Sequence, residues 1–166
     1  MKKSEALTLV EFTVWANRRV FNKAPRLPRS TLGAPARLSY PSPLATLVHI
    51  LDTQWYWRVA AQSGVVPLET LTPADFPALA SLRRRWDEED RALVAFIQGL
   101  SDASLAGKVR YRWPRARPQS WPLAHILLHI ANHSTQHRSE LATFLTSRSL
   151  SPGNLDFIRF AARKKS

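Results

Sequence analysis

The chain has 166 residues, enough to bury a substantial core as one domain spanning 1–166, and no cysteine, which excludes disulfides, thiolate metal ligands and a cysteine nucleophile. Its formal net charge of +12 and pI near 11.2 raise the question of an anionic partner. The basic residues are scattered, however, through Arg18 and Arg19, Arg83 to Arg85, the arginines between 110 and 117, and a tail of Arg163, Lys164 and Lys165. Nucleic acid is therefore the minor expectation. The apolar runs are short and broken by charge, and the N-terminal residues lead into an amphipathic stretch and not a signal-peptide core. A cytoplasmic protein without a membrane segment is expected.

In chain order, the pattern predicts a first helix over about 4 to 24. Ser4 is placed to cap it, Glu5 suits its first turn, and Leu7, Val10, Val14 and Phe21 recur at helical spacing before Pro25 stops it. Trp15 within it reads as core. Residues 25 to 42 are punctuated by prolines and Gly33, and read as a long loop. A second helix starts at Ser42-Pro43, a cap followed by proline at the first helical position, and runs to about Gln62 before Gly64. Leu44, Leu47, Val48, Leu51 and Trp55 form its apolar stripe, and His49 stands at the edge of that stripe. Asp52, three residues on, is placed to orient an imidazole through its second nitrogen, or else is a solvated surface charge.

A linker over 64 to 78 holds three prolines, with Phe76 expected to pin it to the body. The third helix spans about 79 to 100, with Leu82, Trp86, Leu93, Phe96, Ile97 and Leu100 facing inward. Its runs Arg83-Arg84-Arg85 and Asp87-Glu88-Glu89-Asp90 read as a solvated face with i to i+4 pairs, Arg83 with Asp87 and Arg84 with Glu88. Between 105 and 121, Val109, Tyr111 and Trp113 alternate with basic residues, a period of two that predicts a short strand or extended arm. A last short helix is expected near Leu155 to Phe160.

The fourth helix, over about 122 to 146, carries His125, His129, His133 and His137, each four residues from the next. On a helix that spacing makes one stripe of imidazoles, and it points to a metal. Each step drifts by roughly 40° around the axis, so one helix offers two ligands comfortably. The third must come from elsewhere, and the fifth histidine is His49.

Four apolar-striped helices predict an all-α four-helix bundle, a fold that builds metal sites from facing helices. His49 lies roughly 14 residues before the end of the second helix, and His133 and His137 roughly 11 to 15 after the start of the fourth, at about 1.5 Å per residue. These depths match when the two helices are antiparallel. A simple up-down-up-down bundle would instead favour His125 and His129, but the linker at 64 to 78 can carry the chain back along the bundle. The set His49, His133 and His137 is preferred on that ground. Three imidazoles leave a divalent ion with an open position for water or a thiolate, as in catalytic sites. His129 and Asp52 are the nearest candidates for a proton acceptor. Nitrogen donors suit zinc, nickel, copper and iron alike, and zinc or nickel is the expected ion.

Trp15-Ala16-Asn17, Leu47-Val48-His49-Ile50-Leu51 and Asn132-His133-Ser134-Thr135-Gln136-His137-Arg138 together resemble the DinB/YfiT-like superfamily, over nearly the whole chain. The resemblance implies a left-handed up-down-down-up bundle, usually a homodimer, with a divalent ion held by positions matching His49, His133 and His137. It also implies a link to damage or stress responses, and, for some relatives, transfer or isomerisation chemistry with low-molecular-weight thiols. Gln54 stands where relatives often have Glu, and Gln136 where many have His. Neither change removes a ligand. Three readings follow: a metal-dependent hydrolase or thiol S-transferase acting on a small molecule, a non-catalytic metal-binding protein, and a basic nucleic-acid-binding module whose affinity would fall steeply with salt.

Overall fold

The structure, a computed structural model, describes residues 1–113 and 115–163; Lys164 and Lys165 of the expected basic tail lie outside the described residues. The protein is mostly helical. Four long helices, α1 (Lys3–Phe21), α3 (Pro43–Ser63), α4 (Leu79–Gly99) and α6 (Leu123–Thr146), are joined by the short helices α2 (Arg29–Gly33) and α5 (Asp102–Ala106). A two-stranded sheet of β1 (Lys108–Tyr111) and β2 (Gln119–Pro122) precedes α6, and α7 (Phe157–Arg163) follows it. Among the described residues no helix is long and apolar enough to cross a membrane.

Local chemistry sets most of these boundaries. Ser42 Oγ accepts the Ala45 N–H at 3.1 Å, Pro43 opens α3, and Gly64 closes it in the left-handed region at φ 72°. At α1 the cap differs from expectation. Lys2 is the N-cap residue, its N–H donated to Glu5 Oε2 at 2.8 Å, so the Glu5 carboxylate rather than the Ser4 hydroxyl satisfies the exposed amide. The loop expected over 25 to 42 contains a 3-10 turn at Ala24–Arg26 and the one-turn helix α2, where Leu32 reaches the core.

The side chains that meet fix which ends lie together. One core cluster gathers Val20 and Phe21 from the end of α1, Leu47 and Leu51 from the start of α3, Leu82 and Trp86 from the start of α4, and Leu141 and Leu145 from the end of α6. A second gathers Ala6 and Val10 from the start of α1, Leu93 and Ile97 from the end of α4, and Leu123 to Ile130 from the start of α6; Trp57 and Ala61, late in α3, pack against it. Helices α1 and α3 each pack against both α4 and α6.

The charged run of α4 is only partly a solvated face. Arg83 Nε pairs with Asp87 Oδ2 at 2.9 Å as the spacing predicts, while Arg84 and Glu88 are exposed. Glu89 and Asp90, in contrast, are buried. They fall between Trp86 and Leu93 on the inward stripe, and arginines from neighbouring helices come to them: Arg58 meets Glu89 through two bonds of 2.6 and 2.8 Å, and Arg18 Nε donates to Asp90 at 3.2 Å. The expected extended arm is in fact an antiparallel hairpin, with Val109 opposite Trp121 and Tyr111 opposite Gln119.

Candidate metal centre

His49 stands on the second turn of α3 and His133 and His137 on successive turns of α6, at the level where these helices pack together. Their rings form a compact triangle. Ring centroids are 4.6 Å apart for His49 and His133, 4.6 Å for His133 and His137, and 4.9 Å for His49 and His137. One nitrogen from each lies within 4.8 Å of the others, so the three could hold one metal ion. His137 is buried; the other two are half-buried.

Two of the converging nitrogens meet directly. His49 Nε2 and His133 Nε2 face each other at 2.8 Å, a distance at which two neutral imidazoles can place only one N–H between them. Burial, with the neighbouring His137, lowers the His49 pKa to about 4. Burial, with the surrounding histidines, lowers that of His133 to about 3. Both rings are therefore neutral around pH 7, the state a metal ligand needs. Among the described residues His133 Nδ1 is buried without a hydrogen-bond partner. Three convergent imidazoles fit a divalent ion of the nitrogen-preferring kind.

Two neighbours escaped sequence reasoning. Glu140 Oε2 accepts from His137 Nδ1 at 3.4 Å, which directs the other ring nitrogen away from Glu140. Burial alone would raise the Glu140 pKa, but hydrogen bonds from Ser39 and the His137 contact hold it below the usual carboxylate value. Its i+3 spacing from His137 was a usable signal. Tyr40 stacks on His49 with centroids 3.8 Å apart and meets His137 edge-on at 5.5 Å. It comes from an irregular loop, where no periodicity marks it.

The other candidates lie apart from the triangle. Asp52 Oδ1 accepts the Leu71 N–H at 2.8 Å, anchoring the linker after α3, and among the described residues it makes no hydrogen bond to a histidine. His129 lies one turn before His133, with ring centroids 5.6 Å apart, and its edge meets Trp57. His125 is exposed, a further turn away. Gln54 is fully buried and donates to Asp90, and Gln136 is exposed; among the described residues neither hydrogen-bonds the three rings. Asn17 and Arg138, from two of the sequence segments singled out above, bond each other at 2.8 Å across α1 and α6.

A mostly helical chain with three convergent histidines on facing helices defines a helical protein with a candidate three-histidine metal centre. The DinB family model matches residues 1–165, and the chain belongs to the DinB family. It is similar to Protein DinB of Bacillus subtilis (strain 168), with 23% identity over 159 residues covering 92% of this chain and 91% of that protein.

Proposed function

We propose that this chain is a metal-dependent enzyme in which His49, His133 and His137 hold one divalent ion, zinc or nickel, and that it acts on a small molecule as a thiol S-transferase or a hydrolase. The observation that carries the reading is the convergence of three imidazole nitrogens within 4.8 Å on two facing helices. When bound at three imidazoles, such an ion keeps an open position and acidifies water or a thiol near neutral pH. The chain's own residues do the rest. Glu140 fixes the His137 ring, Tyr40 restrains the His49 ring by stacking, and His129, one turn before His133 and with its pKa lowered by desolvation, is a group able to take a proton.

The architecture that supports this reading is one DinB-like domain with up-down-down-up helix directions. The ends that share each core cluster favour it: α3 and α4 start together, and both start where α1 and α6 finish. A homodimer completes the proposal and rests on family membership.

The test is turnover by the zinc- or nickel-loaded protein against low-molecular-weight thiols paired with electrophiles, and against hydrolysable esters and amides. Product formation that stops on chelation and in His49→Ala supports the enzyme. A metal-loaded protein inert across the whole panel would turn the reading to a metal-binding protein without catalysis.

A further inference from the structure

Beside the histidine triangle the hairpin and the helices α3 and α6 enclose a cavity of about 490 Å³, within the range of small-molecule sites. Its walls are aromatic: Trp57 from α3, Tyr111 from β1, Trp113 just beyond it, Trp121 from β2, and the imidazoles of His125 and His129. Trp113 and Trp121 are 46% and 47% exposed, large apolar surfaces whose exposure a soluble fold ordinarily avoids unless they serve binding. They are also held in place. Trp121 is fixed by its cross-strand position opposite Val109, and Trp113 packs against Tyr56 with centroids 5.4 Å apart.

We infer that this cavity binds a planar aromatic small molecule, stacked against the hairpin tryptophans and Trp57, and that it recognises the organic portion of the substrate. The second half of that statement rests on the enzyme reading above; the first does not. His129 links the two places, since its ring meets Trp57 at 5.3 Å on one side and His133 at 5.6 Å on the other. A ring in the cavity thus presents a substituent across His129 toward the three histidines. An aromatic cage can also hold a quaternary ammonium. Among the described residues no carboxylate lines the cavity, the chain carries +12, and the volume far exceeds one ammonium head group, so a neutral or anionic ring is favoured.

The probe is 8-anilinonaphthalene-1-sulfonate, titrated by fluorescence into the wild type with and without a chelator, and into Trp113→Ala, Trp121→Ala and Trp121→Phe. Near-UV circular dichroism establishes that each variant is folded. Saturable binding at one site is expected, weakened about tenfold by each alanine change, largely kept by Trp121→Phe, and unaffected by chelation. Binding that persists in both alanine variants, absence of binding, or easier displacement by tetramethylammonium or a single-stranded oligonucleotide than by a naphthalene sulfonate would overturn the assignment. Because metal removal is varied separately, loss of the pocket and loss of the metal centre are read independently.

Discussion

Glu140 accepts from the His137 ring at 3.4 Å while Ser39 donates to the same carboxylate, so the loop before α3 and a helix of the site are tied through one side chain. Residues that orient a ligand this way typically contribute 10- to 100-fold to metal affinity. Glu140→Gln is therefore expected to weaken zinc binding by about that factor without unfolding the protein, as read by competition with a chromophoric chelator. Unchanged affinity would remove Glu140 from the site. The four-residue spacing made the row of imidazoles on α6 visible in the sequence, and depth along the helix picked out His133 and His137 as the two that the fold brings beside His49. Asp52, which the sequence left between orienting an imidazole and standing as a surface charge, serves a backbone amide: the Leu71 N–H donates to its Oδ1.

Asp90 makes a second prediction at this scale. Burial pushes its pKa to about 6, against the Gln54 hydrogen bond and the Arg18 charge, which lower it. The folded state therefore holds a proton more tightly than the unfolded chain, and the stabilisation this gives is full below about pH 4 and is lost as pH rises through about 6. Asp90→Asn, neutral at every pH, should change the melting temperature more favourably at pH 7.5 than at pH 4.5. An equal change at both would contradict the perturbed carboxyl.

Among the elements, α3 and α4 are joined by a buried ion pair as well as by leucines. Glu89 is fully buried and Arg58 meets it with two short bonds, while Arg85 stands off at 3.7 Å. Removing one partner of such a pair leaves a buried charge and costs about 3–5 kcal/mol, so Arg58→Ala should lower the urea midpoint severely. Replacing both residues with apolar ones should recover much of the loss. A small effect of Arg58→Ala alone would show that water reaches Glu89. Gly64 gives a milder test. At φ 72° an added Cβ would lie 3.1 Å from the Arg110 carbonyl oxygen, so Gly64→Ala should cost about 1 kcal/mol or more. Caps and proline positions made α3 legible to within a residue or two. The burial of Glu89 and Asp90 was missed because a charge run looks solvated, although its place between Trp86 and Leu93 put it on the apolar stripe. The hairpin was half visible: Val109 and Tyr111 alternate, but β2, reading Gln-Ser-Trp-Pro, has no period of its own and forms by pairing with β1.

For the whole molecule, the helical class followed from four apolar stripes, and the level of the histidines followed from rise per residue. What the sequence withheld was three-dimensional enclosure. The aromatic cavity draws on α3, both strands and α6, and only folding brings those segments together. The net charge of +12 is spread over many elements, with arginines such as Arg18, Arg58 and Arg138 consumed by partners inside the fold. The most direct measurement is elemental analysis of tag-free wild-type protein beside His133→Ala after supplementation with zinc and nickel. About one ion per chain in the wild type and little in the variant is the predicted result. Equal metal content in the two, or none in either, would contradict a three-histidine metal centre.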